Sequence, residues 1–123
     1  IGLFCSTPMV ALSRNLSNKH SMEMLLNGDL ISSNKAVKIG LINEMVNEDS
    51  LTNFVLEKAL RLSKKSAMTL KIGKEAFYNQ IDMTLSEAYD YASNVMVENM
   101  LKIDAEEGIE AFINKRSPKW QDK

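Results

Sequence analysis

Residues 21–46 read SMEMLLNGDLISSNKAVKIGLINEMV, and this stretch decides the fold. Met22, Met24, Leu25 and Leu26 predict a helix that Asn18 can cap and that Gly28 ends as a left-handed cap. Ser32 or Ser33 opens a short third helix ending at Gly40, with Ala36 and Val37 facing inward. Leu41–Val46 reads as a brief strand or extended piece. A lone strand is unstable by itself, so this one either joins a sheet or serves as a connector.

Working outward, Thr7-Pro8 reads as a helix start, with Thr7 as N-cap and Pro8 at the first helical position of a helix running to Leu16. From Ser50 onward the pattern is strongly helical. Leu51, Val55, Ala59 and Leu62 form one stripe. Ser66 caps a further helix carrying Met68, Ile72 and Ala76. Thr84 with Glu87 matches a capping box, and its helix runs to Lys102 with Tyr89, Ala92, Met96, Met100 and Ile103 on its apolar side. Asp104 starts the last helix, with Glu107 as a second capping-box candidate. Lys115 and Arg116 fall in its final turn, and Pro118 stops it. Both prolines, Pro8 and Pro118, stand near the ends, which leaves the interior free of the strongest helix breaker.

The 123 residues carry 15 Lys+Arg against 16 Asp+Glu, and 45% of them are hydrophobic, as in an ordinary globular chain and unlike a disordered one. The near-neutral charge gives no warrant for nucleic acid as a partner. No apolar run approaches the ~20 residues of a membrane span. One cysteine, Cys5, excludes an internal disulfide. With the lone His20 it cannot supply a Cys/His zinc site, so no metal site is expected. The chain opens IGLFC, which reads like the interior of a protein entered partway, and a fragment is therefore expected. Twelve lysines, three arginines and eleven asparagines point to an AT-rich coding sequence, hence to a bacterial cytoplasm, with the mitochondrial matrix open.

Few residues carry chemistry of their own. Cys5, Ser6 and Thr7 with His20 lack the spacing of a nucleophile, base and orienting group, and read as a small buried cysteine and capping residues. Asp104, Glu106, Glu107 and Glu110 read as complements to a helix dipole. Lys64, Lys65, Lys71 and Lys74 read as a solvated face, with a phosphate-bearing ligand as the functional alternative. Phe112 and Lys115, three apart, can bind a nucleotide, ring against base and ammonium against phosphate; the plainer reading is a core ring and a dipole-complementing charge. No catalytic residue is assigned.

Residues 21–46 resemble the enoyl-CoA hydratase/isomerase (crotonase) family through Met22-Glu23, Gly28, Ile31, Ala36, Gly40-Leu41 and Val46. Residues 107–120, EGIEAFINKRSPKW, resemble the family's ending. GLFCSTP at 2–8 and GKEAFYNQ at 73–80 resemble one subgroup of it. The resemblance implies a mostly α fragment of an α/β crotonase (ClpP/crotonase-like) fold with one short strand. Residues 1–48 would be the C-terminal edge of the spiral core, and 49–123 a helical region that drives trimers or dimers of trimers. It implies an acyl-CoA substrate, no cofactor beyond that coenzyme A thioester, no nucleic acid and no membrane.

The same resemblance implies that the oxyanion-hole amides and both acid/base glutamates precede Ile1, so this half is inactive alone and Glu23 and Glu44 do not replace them. Phe112 and Lys115 would reach the CoA of a neighbouring subunit. Leu3, Phe4 and Pro8 would line the acyl pocket. That loop departs from the hydratase pattern P-G-x-G-G, with Met9 where relatives often carry glycine, which puts efficient hydration of ordinary enoyl-CoA in doubt. Isomerases and thioesterases share the family. A rival reading is a non-catalytic helical interaction module. Without the spiral core, Val10, Leu12, Leu41 and Ile42 should form an exposed apolar patch.

Overall fold

Four hydroxyl side chains set four of the seven helix starts. A computed structural model describes residues 2–123. In it seven helices follow in order: α1 (Ser6–Asn15), α2 (Asn18–Asn27), α3 (Ser33–Lys38), α4 (Glu48–Ser63), α5 (Ala67–Gln80), α6 (Leu85–Met100) and α7 (Ile103–Ile113). Ser17, Ser32, Ser66 and Thr84 stand at the N-caps of α2, α3, α5 and α6. Each oxygen accepts a first-turn N–H that has no partner within its helix. The Thr84–Glu87 capping box is present in both directions. Gly28 ends α2 left-handed at φ 67°.

The helices group into two compact units, one up to Thr52 and one over Asn53–Lys123. In the first, α1 packs on α2, and the Ser21 hydroxyl reaches the Leu12 carbonyl at 3.4 Å. Leu16, Ser21 and Ala36 are its buried residues. In the second, α6 packs on both α5 and α7, and Ser66, Asp104 and Ala111 are buried.

Several expectations differ from the structure, each for a local reason. Helix α1 begins at Ser6 with Cys5 flanking it, so Thr7 is not the cap and Pro8 takes the third helical position. Proline lacks only an N–H that the first turn leaves unpaired, so the third position suits it as well as the first. Cys5 is exposed rather than buried. Ser17, not Asn18, caps α2. Helix α4 starts at Glu48, which brings Glu48 and Asp49 into a first turn whose dipole they complement.

Residues 41–46 form a bend and irregular backbone, and no strand occurs among the described residues. A ladder needs a second strand to hydrogen-bond, and this segment turns back on α3 instead. Gly40 at φ 81° lets Leu41 N–H return to the Ala36 carbonyl at 2.9 Å. The expected apolar patch is partly present: Val10 and Ile42 are exposed, whereas Leu12 and Leu41 are half-buried. The stripe Leu51, Val55 and Leu62 lies along α4 and is exposed.

Candidate functional site

Helix α7 departs most from its sequence reading, first of all at its start. Lys102 is extended and flanks the helix, so Ile103 is the first helical residue and Asp104 the second. Glu107 therefore cannot be the third residue of a capping box, and both carboxylates face a different task. Asp104 is only 2% exposed. It accepts main-chain N–H groups from Gln121 at 2.7 Å and Asp122 at 3.1 Å. The Ser66 hydroxyl is the main cause that holds its carboxyl below the usual range, aided by those two amides. Asp104 therefore grips the chain that follows α7. Among the described residues no group of three His, Cys, Asp or Glu side chains is placed to hold a metal.

Glu107 grips the same segment higher up. Both terminal guanidinium nitrogens of Arg116 donate to its carboxylate, at 2.6 and 2.8 Å, and Lys119 N–H donates to it at 2.6 Å. A bidentate fork of this kind is the strongest common side-chain pairing. It pulls the Glu107 carboxyl from 4.5 to about 2, chiefly through the Arg116 hydrogen bond. Arg116 is raised in turn by Glu107.

Beyond it, Trp120 donates its indole N–H to the Lys64 carbonyl at 2.7 Å. A Cβ built on Gly108 would meet the six-membered ring of that indole at 3.4 Å. Asp122 accepts the N–H groups of Ala67 and Met68, at 2.7 and 3.3 Å. Residues 116–122 thus form a strap that ties α7 to the start of α5.

This arrangement makes the second unit sensitive to acid. A carboxylate whose pKa is lowered by folding stabilises the fold above its ordinary value and loses that contribution as pH falls through the lowered one. For Glu107 the window runs from 4.5 down to about 2. Thermal melts should therefore be flat from pH 7 to about 5 and fall steadily below that. An unchanged melting temperature at pH 3 would contradict the strap.

The strap frames two exposed side chains. Phe112 is 85% exposed, so it is not the core ring that spacing alone allowed. Lys115 lies past the end of α7, not in its last turn, at φ 52°. Its N–H returns to the Phe112 carbonyl at 3.2 Å. A groove of about 620 Å³ runs alongside, walled by Leu62, Leu70, Met100, Ile109, Phe112 and Trp120, with Lys65 and Thr69 at its polar parts.

Of the other candidates, Lys71 pairs with Glu75 at 3.9 Å on the surface. His20 stands 3.8 Å from Glu23, which also meets Lys35 at 3.3 Å. Leu3, Phe4 and Pro8 are exposed. Pro8 lines a groove of about 470 Å³ in the first unit with Ala11, Leu12, Asn15, Gly40, Leu41 and Asn43. The strap itself was the missed feature. The spacing Asp104, Glu107, Arg116, Trp120 held its signal, but a carboxylate three residues into a helix reads first as a cap.

The chain belongs to the enoyl-CoA hydratase/isomerase family, whose sequence model matches residues 1–123. Among its relatives is the mitochondrial enoyl-CoA hydratase domain-containing protein 3. The chain is 44% identical to the Rattus norvegicus protein over 120 residues, which cover 98% of this chain and 40% of that protein. It is 40% identical to the Homo sapiens protein, again over 98% and 40%. The crystal structure of the human protein matches with a TM-score of 0.93 at 40% identity, covering 97% of this chain and 47% of that one. That of a Mycobacterium smegmatis enoyl-CoA hydratase also matches at 0.93, with 39% identity and coverage of 97% and 46%.

The fold is thus that of the crotonase relatives, represented here by its helical part. The chain spans about 40% of the length of the curated relatives it matches. No helix among the described residues is long and apolar enough to cross a membrane.

Proposed function

We propose that this chain supplies the C-terminal part of an acyl-CoA enzyme, in which Phe112 and Lys115 contact the coenzyme A of a neighbouring subunit. The observation that carries the reading is the exposed Phe112 ring, turned out of α7 beside a lysine whose ammonium has no hydrogen bond or ion pair among the described residues. An aromatic face and a free cation suit a base and a phosphate, respectively. Residues 1–48, with Leu3, Phe4 and Pro8 at the edge of the acyl pocket, would complete the spiral core. Residues 49–123 would form the oligomer contact, as a trimer or a dimer of trimers. Within the second unit, the exposed Met96 and Met100 on α6 fit a surface that other protein covers.

The reaction in the complete protein would be reversible hydration of a 2-enoyl-CoA, or another step through a thioester enolate. Its oxyanion-hole amides and acid/base glutamates are to be sought in the part of the relatives' length that this chain does not span. The compartment follows the source, a bacterial cytoplasm or a mitochondrial matrix.

Calorimetric titration of the chain with CoA and acetyl-CoA tests this reading, with the oligomeric state read beforehand by light scattering. Phe112→Ala and Lys115→Ala are each expected to weaken binding about fivefold to tenfold, the scale of one exposed stacking or charge contact. No turnover of crotonyl-CoA is expected from the chain alone. Clear turnover that survives both substitutions would sink the proposal, and binding indifferent to both would remove its CoA contact. A monodisperse chain that binds no CoA but captures helical partners would favour the rival interaction module.

A further inference from the structure

We propose that Glu107 and Asp104 are positioning residues for the Phe112–Lys115 turn, holding Lys115 left-handed through the strap they anchor. The inference rests on the reading above for its ligand, the nucleotide-phosphate end of a coenzyme A thioester.

Lys115 sits at φ 52°, where residues other than glycine are uncommon. The helix end asks for that conformation. Asn114 N–H reaches Glu110 O at 3.0 Å, Lys115 N–H reaches Phe112 O at 3.2 Å and Arg116 N–H reaches Ala111 O at 3.0 Å. Glycine ordinarily fills this place because a Cβ disfavours it. A lysine there persists when the surroundings over-determine it.

The strap supplies that determination from the far side. One residue after Lys115, the Arg116 fork locks onto Glu107 and touches Glu110 at 3.2 Å. Lys119 N–H adds to the same Glu107 carboxylate, and Asp104 takes the amides of Gln121 and Asp122. Lys115 is thereby fixed by α7 before it and by the strap after it. Its ammonium stays free and its neighbour ring stays exposed. A cation and a ring held by a rigid turn lose less freedom on binding than the same pair on a frayed helix end.

The test combines two readouts on the intact chain. Amide coupling constants and chemical shifts report whether Lys115 remains left-handed, and calorimetry reports CoA affinity. Glu107→Gln is expected to erase the left-handed signature, speed hydrogen exchange at Lys119 N–H and weaken CoA about tenfold. It should add no further loss in a Lys115→Ala background, because the two act through one contact. Arg116→Lys, which keeps the charge without the fork, is the milder variant should Glu107→Gln fold poorly, and about threefold weakening is expected from it. Glu106→Gln, an exposed neighbour, serves as the charge control and should change neither readout.

If Lys115 stays left-handed in Glu107→Gln and Arg116→Lys, or if the turn is lost at unchanged affinity, the positioning role is overturned and the CoA reading stands. An equal loss in the Lys115→Ala background would assign Glu107 a general stabilising role and also overturn it. If Lys115→Ala itself leaves CoA affinity unchanged, the reading under Proposed function fails, and this inference with it.

Discussion

Replacing Trp120 by alanine is expected to destabilise the chain by about 3 kcal/mol, the low end for a large aromatic side chain, since this one is only partly buried. The indole does two jobs. Its ring packs on α7 at Gly108, where an added Cβ would stand 3.4 Å from it, and its N–H bonds the Lys64 carbonyl at 2.7 Å. Trp120→Phe separates them. It keeps most of the ring contact and loses the hydrogen bond, for about 1 kcal/mol. Urea unfolding followed by far-ultraviolet dichroism measures both variants without relying on the tryptophan signal. If Trp120→Ala unfolds at the same midpoint as the parent chain, the strap contributes no stability and its contacts are incidental.

The second large effect belongs to Asp104. Asp104→Ala leaves the Gln121 and Asp122 amides and the Ser66 hydroxyl without their acceptor in a place where little water reaches. Orphaned buried donors cost more than a typical hydrogen bond returns, and a fall in melting temperature on the order of 10 °C is expected. Asp104→Asn keeps one acceptor oxygen but turns an NH2 toward an amide N–H, so a smaller loss is expected. Trp120 is the only tryptophan, so its emission reports the strap directly and should shift to the red in Asp104→Ala. Unchanged emission together with an unchanged melt would show that the strap holds without Asp104.

How much of this was legible in the sequence depends on the range of the interaction. Ser66 and Thr84 announced α5 and α6 because a cap and its target amide lie three residues apart. Gly28 and Gly40 announced helix ends because their left-handed conformation is a property of one residue and its immediate neighbours. Leu41–Val46 failed as a strand because a strand is defined by a partner, and the described residues offer none.

At the candidate site, spacing and family resemblance single out Phe112 and Lys115, whose role as a coenzyme A contact is a proposal. Spacing alone placed the ring in the core. Burial depends on what packs over a helix face, which no local pattern states. Asp104 misled for the same reason. Its partners Gln121 and Asp122 lie seventeen and eighteen residues away, joined through a turn that only Lys115's backbone reveals.

The strap has a further consequence, in rates rather than equilibrium. Helices α5, α6 and α7 rest mainly on contacts between residues close in sequence, whereas Asp122–Ala67 and Trp120–Lys64 join residues 55 and 56 apart. Contacts of such separation carry a large loop-closure cost and tend to form after local helix has condensed. Lesions in the strap therefore speed the unfolding limb of a denaturant chevron and leave the refolding limb nearly where it was. The lifetime of the native state, more than its speed of formation, is written in the last eight residues.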